Sequence, residues 1–198
     1  MKPLLGLALS LTLLVGCAST RTKYDYAKEP DPRKKEYVIG VSDVVKINVW
    51  KMPELSAETK VRPDGTITMP LLGDVAVAGK APSQVKQDIT QKLATFVKDE
   101  TATVTVAIVE VNSYRFVVSG NVERPGVFSS KQFVTVAEAI ALAGGPNKFA
   151  SIGDIVVIRP DLPGGKVRKL PIDYAEIRSG DRPDENLVIL AGDTVYIP

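Results

Sequence analysis

The chain has 198 residues, 44% of them hydrophobic and 24% charged, with 25 Lys and Arg against 23 Asp and Glu. That apolar content suits one or two compact domains, and a net charge of +2 lacks the cation surplus with which nucleic-acid binders displace counterions, so no nucleic-acid partner is expected. Histidine is absent and cysteine occurs once, which removes the commonest general base, the commonest metal ligand and any intrachain disulfide.

Lys2 precedes an apolar run from Leu4 to Val15, and small residues follow before Cys17. This is the layout of a secretory signal, and the run is shorter than the roughly 20 apolar residues of a membrane-spanning helix. Leu14-Val15-Gly16-Cys17 resembles the bacterial lipobox, in which the chain is cut before a cysteine whose sulfur carries diacylglycerol. An ordinary signal with a chance cysteine is the competing reading; the apolar run, the small Gly16 and the absence of other cysteines favour lipidation at Cys17. Each buried methylene contributes about 0.8 kcal/mol, so the acyl chains of a lipoprotein would anchor without a spanning helix. Ala18 stands where an aspartate often marks inner-membrane retention, which favours the periplasmic face of the outer membrane.

Residues 1–16 are thus expected to be a signal peptide and 17–36 a lipidated N-terminus and solvated polar tether, with Pro30 and Pro32 and mostly polar residues between. A first folded block spans 37–113. Val45, Ile47 and Val49 alternate with polar or exposed positions, as in a half-buried strand. The Pro63-Asp64-Gly65 turn between two β-prone runs predicts a hairpin, because Pro fixes φ, Asp bonds nearby backbone and Gly accepts positive φ. Ser83 is the expected N-cap of a helix whose apolar stripe is Val85, Ile89, Leu93 and Val97, with Phe96 beside it. Val104, Val106 and Ile108 alternate in a closing strand.

A second block, 114–198, opens with two short strands around a turn containing Asn121, Pro125 and Gly126. Thr135 and Glu138 have capping-box spacing at the start of a short helix that Gly144 can close. "DIVVIRP", "KVRKLPI", "LVIL" and "DTVYIP" supply further strands, the first two joined through Pro163-Gly164-Gly165. The sum is an α+β chain, its second block a small mixed sheet with one helix, ubiquitin-like in outline. "SDVVKI" at Ser42 to Ile47 and "GDTVYI" at Gly192 to Ile197 echo each other, each placing an Asp at a turn before a strand.

No constellation of residues carries chemistry. Asp99-Glu100, Asp181 and Asp184-Glu185 fall in hydrophilic, turn-like settings where carboxylates are usually solvated, and the glycines near Lys148 and Lys166 lack the spacing of a phosphate loop. No catalytic residue, cofactor site or metal site is assigned, and "PDG" lacks the oxygen ligands of a calcium loop. Trp50 suits edge packing better than sugar stacking. The residues themselves indicate a lipid-anchored binding or assembly protein.

Several ordered segments resemble the outer-membrane polysaccharide export proteins, the Wza-like lipoproteins of Gram-negative bacteria. They are "YVIGVSDVVKINVW", with Val41-Ser42 where Pro-Gly is usual; "VRPDGTITMPLLGDVAVAG"; "VSGNVERPGVF"; "AIALAGG"; and "LAGDTVYIP". The resemblance covers essentially residues 37–198. It implies a small mixed-sheet export domain followed by a β-grasp SLBB domain, with structural turns at Asp43, Pro63, Asp64, Gly65, Pro70, Gly73, Gly126, Gly144, Gly145 and Asp193. It also implies a ring-shaped periplasmic homo-oligomer that passes capsular polysaccharide or exopolysaccharide, facing an inner-membrane polysaccharide co-polymerase. Longer members continue into an amphipathic helix that forms the outer-membrane pore; the sequence stops at Pro198, so a separate outer-membrane β-barrel is the expected exit. The alternative from another class is a lipid-anchored sugar-binding or cell-envelope scaffold without a transport role.

Overall fold

The computed structural model describes residues 24–96, 103–161 and 165–198, and these build two cores. In the first, β1 (Val44–Val49) lies between β2 (Ala57–Lys60) and β5 (Val104–Glu110), antiparallel to both. Paired on both edges, β1 turns Val45, Ile47 and Val49 inward, each at most 1% exposed. The helix α1 (Pro82–Leu93) covers this core with Val85, Ile89 and Leu93, each burial contributing about 2 kcal/mol. Val97, the next residue of the expected stripe, lies outside the described residues, and Phe96 is exposed.

Two local expectations change here. The helix begins two residues earlier than expected, its N-cap at Ala81 instead of Ser83, with Pro82 in its first turn, where a missing N–H costs nothing. Ala81 has no side-chain acceptor, but its N–H donates to Gln84 Oε1 at 2.9 Å. The runs flanking Pro63-Asp64-Gly65 do not pair with each other. The turn forms, Gly65 N donating to Arg62 O and Arg62 N to Thr66 O at 2.9 Å each, but β2 is already committed to β1. The following strand, β3 (Thr66–Met69), pairs instead with β4 (Gly73–Ala76) across Pro70 to Leu72. Asp64 closes the corner by accepting from Thr66 N at 3.1 Å and Thr66 Oγ1 at 2.7 Å.

The second core lies under a five-stranded mixed sheet. Its strands are β6 (Arg115–Gly120), β7 (Gly126–Ser129), β8 (Ile155–Asp161), β9 (Lys166–Ile172) and β10 (Thr194–Ile197), in the order β7-β6-β10-β8-β9. β6 and β10 run parallel at its centre, and the other neighbours are antiparallel. The short α2 (Val136–Leu142) buries Val136, Ala139 and Ile140 against it, so this half has the β-grasp arrangement. Its capping box forms, Thr135 N donating to Glu138 Oε2 at 2.7 Å, and Gly144 and Gly145 with φ near 85° and 88° end the helix. Gly120 is the tightest backbone contact: a Cβ there would stand 1.9 Å from Ile197 O, so the end of the central parallel pair admits only glycine.

"LVIL" is not a strand. Val188 makes one isolated bridge to Thr135, and the segment is a buried loop held by Val136 N to Leu187 O and Ile189 N to Val134 O, both at 2.9 Å. Gly126 opens β7, opposite Val118, rather than sitting in the preceding turn. A second helix, α3 (Tyr174–Ser179), is set by Asp173, which accepts from Ala175 N and Glu176 N at 3.0 and 3.3 Å, and is closed by Gly180 at φ 87°. Among the described residues no helix is long and apolar enough to cross a membrane.

Candidate functional site

The segment expected to be a solvated tether packs on the folded body through Tyr24, Tyr26 and Glu29, while Arg33 to Lys35 are exposed. Tyr26 is 7% exposed within the second core, and its hydroxyl donates to Pro171 O. The apolar content of the segment is low, but two tyrosines close in sequence, Tyr24 and Tyr26, with ring centroids 5.1 Å apart, are sufficient to seat it.

Between those tyrosines and the second domain lies a buried ion cluster. Arg159, 2% exposed, gives Nε to Asp193 Oδ1 at 3.1 Å and a terminal nitrogen to Asp193 Oδ2 at 2.6 Å. Its other terminal nitrogen donates to Glu29 Oε2 at 2.7 Å, and Arg168 donates to Glu29 Oε1 at 2.6 Å. The Tyr24 hydroxyl also donates to Glu29 Oε1. Two carboxylates and two guanidiniums therefore balance in charge: Arg159, Glu29 and Asp193 are buried, and Arg168, 41% exposed, closes the cluster at the surface. Burial alone would raise the Glu29 pKa; hydrogen bonds from Tyr24 and Arg168, with the charges of both arginines, outweigh it and hold the carboxyl below the usual glutamate range.

The second anchor lies where the two domains meet. Asp43 is fully buried and accepts five hydrogen bonds, all from neutral donors. Oδ2 takes the Tyr37 hydroxyl at 2.8 Å, Gly40 N at 2.8 Å and Ser113 Oγ at 3.0 Å; Oδ1 takes Asn112 N and Ser113 N, both at 2.8 Å. Asn112 and Ser113 follow β5 and lead into β6, so one carboxylate ties the entry to the first domain to the exit toward the second. Gly40 permits this approach, since a Cβ there would lie 2.3 Å from Ser113 Oγ. Ser83 at the start of α1 adds a further tie, giving its N–H and hydroxyl to Glu36 at 3.0 and 2.5 Å.

Asp43 and Asp193 occupy the same local device. Each accepts from the backbone N–H three residues before it, Gly40 and Leu190, at 2.8 Å. Each also donates its own N–H back to that residue's carbonyl, at 3.3 and 3.1 Å. The residue before each Asp has positive φ, 77° at Ser42 and 86° at Gly192, as the third position of a type II turn demands. The sequence echo is therefore a geometric one. The two turns differ in how the charge is met: by backbone and hydroxyls at Asp43, by Arg159 at Asp193.

Other singled-out residues fall away from this junction. Pro63, Asp64 and Gly65 form the corner between β2 and β3, where Arg62 spans Asp64 and Asp74 at 2.5 and 3.0 Å on the surface. Pro70 and Gly73 flank the β3–β4 turn, Gly73 with φ 67°. Trp50 is 58% exposed rather than packed at the strand edge. Glu185, expected to be solvated, is 4% exposed and accepts from Asp173 N and from Arg182. Cys17 and Asp99-Glu100 lie outside the described residues. Among the described residues no group of three or more acidic residues, His or Cys could hold a metal ion. Sequence reasoning missed Glu29 and Arg159. An arginine inside an alternating apolar strand and a glutamate three residues after a pair of tyrosines were the available signals.

Two outcomes follow from the Asp43 turn. Burial, and after it the Asp43 carboxylate, push the Tyr37 hydroxyl up to about 12, against the neighbouring Ser113 hydroxyl, which lowers it. A proton bound more tightly in the folded state stabilises below the unfolded tyrosine pKa of about 10 and ceases to as pH rises through the folded value. Denaturation midpoints should therefore fall between about pH 10 and 12 in wild type, and less steeply in Tyr37→Phe. Ser42 adopts a left-handed backbone at a cost of about 1 kcal/mol, so Ser42→Gly should raise the unfolding free energy by about that amount in urea titrations.

Comparison with known proteins accounts for both halves of the chain. Residues 31–107 match the polysaccharide biosynthesis/export protein family, and residues 115–171 match the SLBB domain. The EPS I polysaccharide export outer membrane protein EpsA of Ralstonia nicotianae is 32% identical over 185 residues, covering 81% of this chain and 47% of that protein. The exopolysaccharide production protein ExoF of Rhizobium meliloti is 32% identical over 126 residues, 57% of this chain and 29% of that one. The capsule polysaccharide export protein BexD of Haemophilus influenzae is 27% identical over 179 residues, 80% of this chain and 43% of that one. The chain thus spans less than half the length of these relatives. An export module and an SLBB module in family order, joined through the Asp43 turn, leave one conclusion: the chain belongs to the polysaccharide biosynthesis/export protein family, an export rather than an enzymatic family.

Proposed function

We propose that this protein is a lipid-anchored component of a periplasmic translocation channel that exports capsular polysaccharide or exopolysaccharide at the outer membrane. The observation that carries the reading is the ordered pair of family modules, export then SLBB, built as one body through Asp43. Relatives that align with 81% and 66% of this chain are named polysaccharide export outer membrane proteins. The absence of histidine agrees with a protein that supplies a passage and docking faces instead of turnover.

Copies of the chain assemble as a ring on this reading, and Cys17 carries the lipid that holds the assembly to the outer membrane. The inner-membrane co-polymerase and a separate outer-membrane β-barrel are partners supported by the family resemblance alone.

Deleting the gene should abolish surface and secreted polysaccharide, measured as capsule stain and as hexose in the culture medium. Wild type should restore it. Cys17→Ser should restore little, with the variant recovered in the soluble periplasmic fraction. Polysaccharide secreted at normal levels by the deletion strain would instead identify an envelope scaffold.

A further inference from the structure

We propose that Phe149 of one copy of the chain docks into the cleft between the N-terminal segment and the two domains of the next copy, head to tail. This rests on the reading above only in that copies assemble.

The cleft has a volume of about 270 Å³ and is lined chiefly by Pro32, Tyr37, Val38, Tyr114, Phe133 and Leu190. Its tyrosines offer ring carbon, not hydroxyl. The Tyr37 hydroxyl is bound to Asp43 and Ser113, and that of Tyr114 donates to Ile189 O at 2.9 Å while accepting from Val134 N at 3.2 Å. Phe133 meets Tyr114 edge-on at 5.1 Å and Tyr37 at 6.2 Å, so an incoming ring would complete an aromatic cluster. An apolar cavity of about 150 Å³ accepts a benzene ring, so this cleft has room for a phenyl group and its flanking methylene. It is small for the about 300–1,000 Å³ of a typical ligand site.

Phe149 fits the part of occupant. It is 71% exposed, the most exposed of the described large apolar side chains. It is also rigidly presented: Phe149 N donates to Asn147 Oδ1 at 2.9 Å, Asn147 N to Asn121 O at 3.1 Å, and Asn121 Nδ2 to Phe149 O at 3.4 Å. A preorganised aromatic loses little entropy on docking, which is the character of an interface anchor. Lys148 Nζ lies 5.0 Å from its ring centroid and travels with it. The cleft lining includes Asp31, Lys35 and Glu36; Asp31 is held by Arg33, whereas Glu36, beside Lys35, is bound only to the neutral donors of Ser83 and is the carboxylate that Lys148 would meet.

Position supplies the head-to-tail sense. Tyr114, at the cleft, immediately precedes β6, and Ala191, also at the cleft, lies three residues before β10. Asn121, which holds the Phe149 loop, follows β6, and Ser151 N donates to Pro198 O past the end of β10 at 2.7 Å. Knob and hole thus lie at opposite ends of the central parallel pair, roughly 20 Å apart at about 3.3 Å per residue. Such a pair generates a repeating heterologous contact, which closes into a ring or continues as a filament.

The test is cysteine crosslinking of the full chain in cells, with copper-phenanthroline as oxidant. Ser151→Cys, exposed and two residues from an intact Phe149, combined with Ala191→Cys should give a ladder extending beyond dimers, while each single variant and wild type give none. A 151–191 adduct that is absent, or that stops at dimers, overturns the proposal. In the Ser151→Cys, Ala191→Cys background, Phe149→Asp should reduce the higher-order species roughly tenfold or more with an unchanged circular dichroism spectrum, and Phe149→Trp should retain them. Capsule stain in the deletion strain is scored separately. Export lost on deletion without the adduct sinks this contact and leaves the exporter reading, and a ladder beside normal secretion does the reverse.

Discussion

A buried carboxylate met by neutral donors governs how this chain holds together. Burying a charge costs several kcal/mol, and Asp43 offsets that cost by drawing five donors from two stretches of chain: Tyr37 and Gly40, and the adjacent Asn112 and Ser113. Those stretches are the entry to β1 and the link between the domains. Much else follows from satisfying this one group. Gly40 cannot carry a side chain, Ser42 must take positive φ, and the domain link cannot move without stranding buried N–H groups.

The second acidic turn uses the same backbone device with a different counter-charge, and the difference has a structural use. Asp193 needs Arg159, Arg159 has a second arm to fill, and Glu29 fills it, so the N-terminal segment is drawn onto the second domain through a balanced buried cluster. From there the segment reaches α1 of the first domain through Glu36 and Ser83. Both domains are therefore held at the Asp43 link and again by the segment that precedes them. A body braced twice would suit the proposed role in a channel, where neighbouring copies need a constant shape to pack against.

Strands and helices with one buried face were legible in the sequence because a single periodicity determined them. The alternation of Val45, Ile47 and Val49 and the four-residue spacing of Val85, Ile89 and Leu93 are examples. Pairing partners were less legible: the Pro63-Asp64-Gly65 turn has the right local chemistry, yet which strands flank it in a sheet depends on β1 having taken β2 first. "LVIL" misled because its residues are buried by the loop's place beside α2, not by strand pairing. Of the junction, Asp43 and Asp193 were visible as turn formers, and their echo pointed to a shared geometry. Glu29 and Arg159 were not, since their pairing joins residues 130 positions apart and leaves no local pattern.

Amide hydrogen exchange at Gly40, Asn112 and Ser113 in wild type and Asp43→Ala tests the junction most directly. If one carboxylate locks the domain link, these amides are protected in wild type on the scale of core strands. They should then lose protection by roughly a hundredfold in the variant, while β8 and β9 keep theirs. Equal protection of the three amides in both proteins would contradict the account.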